Sequence, residues 1–148
     1  MKPLRFAFGT LAVLAIFPAT GLAIRLLEAP APERARVLDG DTILLLNSHT
    51  RVRLSGIDAP ELAQYCFNAM TFPYPCGRAA LDHLSALIGP SDVTCKQDGI
   101  DANGRILGTC LTSTRQNLNE KMVFDGLAVA YTRYSSRYVT AERAARVA

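Results

Sequence analysis

Between Arg36 and Ile57 the chain repeats short apolar runs separated by turn residues, and this restricts its fold more than any other feature. Val37 and Leu38 lead into the bend "DGDT", and Thr42 to Leu46 follow as an apolar run. "NSHT" interrupts it, after which Val52 and Leu54 alternate with Arg51 and Arg53. Such runs, bounded by Asp, Gly, Asn and Ser, read as strands joined by tight turns. Side chains alternate faces along a strand, so the result is a meander with one polar side.

The remaining elements narrow the architecture. "CGRAALDHLSALIGP" carries Ala80, Leu81, Leu84, Leu87 and Ile88 at helical spacing and stops at Gly89-Pro90. "DVTCKQDGIDANGRILGTCLT" reads as two strands around a polar loop containing Asn103-Gly104. "NLNEKMVFDGLA" supplies a helix with Asn117 as N-cap, Glu120 at the capping-box position and Gly126 as its stop. A last helix is expected from Ser135 or Ser136 through "YVTAERAARVA", and no stop signal follows it, which reads as a short C-terminus. Strands, helix, hairpin and two helices in that order hold too many strands for a bundle and too few for a sandwich. A small, partly open β-barrel of five strands with two to three packed α-helices fits, the OB-fold architecture.

The N-terminus stands apart from this domain. "MKPLRFAFGTLAVLAIFPATGLA" places Lys2 and Arg5 before an apolar run and small residues up to Ala23, the order of a signal peptide; an uncleaved membrane anchor is the second reading. Either way residues 1–23 imply export, periplasmic or secreted, with membrane contact only through this segment. Residues 24–33, including "EAPAPE", read as a Pro/Ala linker, and the domain as residues 34–148. The net charge of +3 falls to about +1 without Lys2 and Arg5, so bulk charge is no argument for a nucleic-acid partner. Cys66, Cys76, Cys95 and Cys110 form an even set in an exported chain, hence two disulfides with three possible connectivities. Pairing by neighbourhood joins Cys66 to Cys76 and Cys95 to Cys110. The second pair needs the hairpin loop centred between Ala102 and Asn103, which sets those cysteines opposite each other.

Four places hold polar residues that a core does not require: "DGDT", Arg53, "GIDAPE" and "DANGR". Each has an ordinary reading alone. "DGDT" is a turn, Asp58 with Glu61 is a capping box, and the arginines are surface charges. Arg53 and Asp58 are an odd number of residues apart, so a straight strand would set them on opposite faces; Gly56 must bend the chain to unite them. Together the four places form a chemical set. Two carboxylates suit a hard cation such as Ca²⁺, and a third can activate water. Two guanidiniums can fork onto phosphate oxygens. The combination describes phosphodiester hydrolysis.

"VLDGDTILL", "RVRLSGIDAPE" and "DANGRILG", followed by "NLNEKMVFDGLAVAY", resemble the staphylococcal (thermo)nuclease family from about Val37 to Tyr138. The resemblance implies an OB-fold nuclease that uses Ca²⁺ to cleave DNA and RNA, and a monomer. By motif position Asp41 and Asp58 match its metal carboxylates, and Ala59 falls where a backbone carbonyl completes the site. Glu61 matches the general base, and Arg53 and Arg105 the catalytic arginines. Ala102-Asn103 departs from the Lys-Tyr pair of well-known members, and those members lack the cysteines. Tyr131, with Tyr134 and Tyr138 among Arg133 and Arg137, is a candidate for stacking on a base; the competing reading packs these rings on the barrel. The rival to an enzyme is the same barrel used as a non-catalytic nucleic-acid- or protein-binding module.

Overall fold

The computed structural model describes residues 29–147. The signal-or-anchor segment and the linker's first five residues, 24–28, lie outside the described residues. Strands β1 (Ala35–Asp39), β2 (Thr42–Leu45) and β3 (Thr50–Leu54) form the expected meander. A two-residue strand β4 (Ile57–Asp58) follows, then a small hairpin of β5 (Cys66–Phe67) and β6 (Pro73–Tyr74). Helix α1 (Cys76–Ile88) leads to the long strands β7 (Val93–Ile100) and β8 (Ile106–Thr112). Helix α2 (Leu118–Phe124), strand β9 (Val129–Ala130) and helix α3 (Val139–Ala145) complete the domain.

Five strands make one mixed sheet in the order β1-β2-β3-β8-β7, in which β3 and β8 run parallel. The five strands and the packed helices match the expectation; the sheet is not closed, so the partly open barrel is not confirmed. The sheet's two edges meet where Glu33, just before β1, exchanges two backbone hydrogen bonds of 2.9 and 2.8 Å with Val93. Glu33, read as the last linker residue, is thus tied to the domain. Its carboxylate also accepts the Asn47 and Ser48 amides at 3.0 and 2.8 Å.

The core lies between this sheet and the helices. Ile43, Val52 and Leu54 come from the meander, Leu84 from α1, and Leu118 and Met122 from α2, all at most 2% exposed. Helix α1 ends as its sequence dictates, with Gly89 at φ 54° and its N–H on the Ser85 carbonyl. Helix α2 is capped as expected, the Asn117 side chain accepting the Glu120 amide. Helix α3 begins at Val139 rather than at Ser135 or Ser136. The chain before it forms a turn, Ser135 N–H on Tyr131 O, that carries the Tyr138 ring into the core at 2% exposure.

The cysteines pair as Cys66–Cys76 and Cys95–Cys110. The hairpin loop alone does not set the second pair opposite. Ile100 pairs with Ile106, centring the loop on Asn103, and a bulge at Asp98 then shifts the ladder so that Cys95 faces Cys110. Asp98 accepts hydroxyl hydrogen bonds from Ser55 and Thr109, which, with Arg137, outweigh the opposing effect of burial and hold its carboxyl below the usual range.

Candidate active site

"DGDT" forms the turn its sequence suggests, since the Asp39 carboxylate accepts the Asp41 amide at 3.0 Å. The second aspartate, however, points inward: Asp41 is 3% exposed. Close packing makes this possible. A methyl group on Gly40 would fall 2.7 Å from the Ala80 Cβ and 2.8 Å from the Ala59 Cβ, so only glycine lets the turn lie against α1 and the segment after β4. The turn then brings the Asp41 carboxylate to the Ala59 amide, which donates to it at 3.2 Å.

Arg53 joins the acids. Its Nη2 lies 2.9 Å from Asp41 Oδ2 and 2.6 Å from Asp58 Oδ1, while Nη1 donates to Asp41 Oδ1 at 3.1 Å. Strand β3 ends at Leu54 and Gly56 takes φ 75°, a left-handed conformation that reverses the parity of the strand. The bend is held from two sides. Tyr131 N–H bonds the Gly56 carbonyl at 2.9 Å, and the wholly buried Asn119 donates from Nδ2 to the Ser55 and Gly108 carbonyls at 2.9 and 3.0 Å.

The electrostatics of the three groups differ. Burial pushes the Asp41 carboxyl up to about 6, against the opposing pull of Arg53 and the Ala59 amide. Asp58 is about half exposed. Its place beside Arg53 replaces the capping box: no helix follows "DAPE", and the Glu61 amide instead bonds the Gln64 side chain at 3.1 Å. Glu61 is exposed on this turn. Among the described residues no three Asp, Glu, His or Cys side chains gather closely enough to hold a metal, so Glu61 does not join Asp41 and Asp58 as a third ligand.

Arg105 faces the same region from the loop before β8. With Arg53, Asn103, Tyr131 and Tyr134 it lines a cavity of about 460 Å³. Asp101 orients it, accepting its Nε at 2.7 Å and its backbone amide at 2.9 Å. The same carboxylate, by its hydrogen bond first and its charge second, raises the Arg105 pKa further. Asp101 escaped the sequence reading, though it stands four residues before Arg105 within "DANGR". Tyr131 and Tyr134 meet edge to face with centroids 5.0 Å apart. Tyr138 does not share their cavity, being buried, and Arg137 is engaged with Thr109 and Asp98.

Two carboxylates on one guanidinium, beside a cavity with a second arginine and an aromatic pair, define a class of site suited to an anionic, phosphate-bearing ligand next to a cation. The chain belongs to the staphylococcal nuclease homologue family, whose model matches residues 51–148. It is 36% identical over 101 residues to the succinoglycan biosynthesis protein ExoI of Rhizobium meliloti (strain 1021), covering 68% of this chain and 52% of that protein. It is 37% identical over 103 residues to an uncharacterized endonuclease of Escherichia coli, covering 68% of this chain and 61% of that one. It is 36% identical over 112 residues to a micrococcal nuclease of Shigella flexneri, covering 69% and 59%. The chain thus spans about half to three-fifths of the length of these relatives.

Proposed function

We propose that the protein is an exported, Ca²⁺-dependent nuclease that hydrolyses phosphodiester bonds of DNA and RNA with little sequence preference, on an incompletely closed OB-type barrel. The single observation that carries this reading is the convergence of Asp41 and Asp58 on one nitrogen of Arg53, at 2.9 and 2.6 Å. Names among the relatives, endonuclease and micrococcal nuclease, support the reaction class. Two disulfides support an oxidising compartment.

The donor set fits the metal. Two carboxylate oxygens already surround one cationic centre, and Ca²⁺ accepts oxygen ligands at about 2.3–2.6 Å. Asp41, Asp58 and the carbonyl of Ala59 would hold it; when bound, the ion would neutralise charge on the phosphate and favour ionisation of water. Arg105, and Arg53 once its terminal nitrogens leave the two aspartates, would fork onto the phosphate oxygens and offset the charge that builds at phosphorus. Glu61, exposed three residues beyond Asp58, takes the proton of the attacking water. Tyr131 flanks the cavity where a base would lie.

The purified protein should digest DNA and RNA with Ca²⁺ and stop when a chelator is added. Loss of a general base costs about 10²–10⁴-fold in rate, so Glu61→Gln should fall by that amount. Full activity in this variant would remove Glu61 from the mechanism.

A further inference from the structure

The stretch from Leu62 to Pro75 contains no charged residue and exposes Tyr65, Phe67, Met70, Phe72 and Tyr74. A soluble surface seldom collects so many rings without a use for them. The β5–β6 hairpin that carries them is rigidly built. Cys66 is joined to Cys76, the first residue of α1, and Asn68 closes the tip by accepting the Met70 and Phe72 amides at 3.0 Å each. Thr71 turns the tip at φ 63°, a conformation that a β-branched residue adopts only under constraint.

The register decides which rings share a face. Cys66 pairs with Tyr74, and the Asn68 amide bonds the Phe72 carbonyl at 3.0 Å, so Phe72 and Tyr74 lie on the face that carries Cys66. Tyr74 and Cys66 border a second cavity of about 290 Å³, whose other wall includes Asp58, Ala59 and Pro60. Arg53, Leu54, Gly56 and Ile57 thus border the cavity holding Arg105 and Tyr131, and Asp58, Ala59 and Pro60 the one leading onto the hairpin.

We propose that Phe72 and Tyr74 form a stacking platform for unpaired bases of the strand that continues past the acid–arginine cluster, on the side away from Tyr131. The proposal rests on the nuclease reading and deepens it, assigning the site a second base-stacking face on the β5–β6 hairpin. Side chains two residues apart on one strand face stand about 6.6–6.8 Å apart. Stacked bases are spaced by about 3.4 Å, so one base fits between the two rings. Every base has a π-face, so such a platform grips without reading sequence, and its rigidity lowers the entropic cost of binding. A lipid surface fits less well. Tyr74 borders the cavity beside Asp58, so the rings face the proposed path of a strand held at the acid–arginine cluster.

The test compares a dinucleotide, a 12-nucleotide single strand and a 12-base-pair duplex as substrates. In the double variant Phe72→Ala/Tyr74→Ala the KM for the 12-nucleotide strand should rise about tenfold with kcat held, while the duplex KM stays level. Tyr74→Phe should keep the wild-type KM, because the ring remains. An unchanged 12-nucleotide KM in the double variant overturns the platform. So does loss of binding to phosphatidylglycerol vesicles with KM unaltered. If the wild-type protein cleaves none of the three, the nuclease reading fails by itself. Fluorescence anisotropy of the labelled 12-nucleotide strand in chelator then still decides the platform: weaker binding by the double variant supports it, and equal or absent binding overturns it.

Discussion

Arg53 and Asp58 meet at 2.6 Å although they stand five positions apart and a straight strand would point them to opposite faces. The left-handed turn at Gly56 makes the contact. A methyl group there would be strained at φ 75° and would stand 3.2 Å from the Tyr138 ring. Gly56→Ala should therefore cost about 1–2 kcal/mol of stability, read as a lower urea midpoint. It should also reduce activity more than that loss explains, because the bend and the ion pair are one feature.

Gly77 plays a comparable part for Glu61. A methyl group on Gly77 would fall 1.8 Å from the Glu61 carbonyl oxygen, a backbone clash that only a shift of the chain can relieve. Gly77→Ala should displace the turn and lower kcat at least tenfold at full Ca²⁺ saturation, with the protein still cooperative in a thermal melt. Unchanged kcat would show that the position of Glu61 is unimportant.

Asp41 sets an expected pH dependence. Its carboxyl is raised from 3.8 to about 6 by burial, so the folded chain binds this proton more tightly than the unfolded one. Its contribution to stability is fully present below about 3.8 and is lost as pH rises through about 6. In chelator, Asp41→Asn should gain on the wild type by up to about 3 kcal/mol between pH 4 and 7, measured as the difference between their melting curves. The same variant should be inactive, and wild-type Ca²⁺ affinity should fall as pH drops below about 6. A constant difference in stability across that range would contradict the burial of this charge.

Asp101 positions Arg105 through two hydrogen bonds. Asp101→Asn should weaken the hold on Arg105 and raise KM about tenfold, because a freer guanidinium binds phosphate less well. Arg105→Ala in the same background should then cost less than it does in the wild type, a coupling that a double-mutant cycle measures.

The Cys95–Cys110 disulfide closes a loop of 15 residues between β7 and β8. Replacing both cysteines with Ser should cost about 3 kcal/mol, and a reducing agent, which also opens Cys66–Cys76, should lower the melting temperature of the wild type at least to that of the unreduced variant. A melting temperature unmoved by reduction would show that the bridge leaves stability untouched.

Much of this molecule was legible in local pattern. The meander, the caps of α1 and α2 and the long hairpin follow from alternation, glycine stops and Asn117, all short-range features that neighbouring residues decide. The acids and arginines were legible as an ordered set of motifs. The β5–β6 hairpin was not, since its aromatic residues carry no alternating pattern and its closure depends on a disulfide and on Asn68. The strand β9 was also missed, being two residues long and defined only by its pairing with β4.

The sequence by itself determined which chemical groups are present and in what order, because backbone propensity and turn chemistry act over a few residues. Only the tertiary structure decided which groups meet. Gly40 and Gly77 look like ordinary turn and helix residues until the chain packs against Ala59, Ala80 and Glu61. Asp98 looks like a surface charge until its bulge sets Cys95 opposite Cys110. The union of Arg53 with Asp41 and Asp58 required a left-handed glycine, a buried Asn119 and the β4–β9 pairing at once. These contacts span up to 73 residues of chain, so no local window holds them.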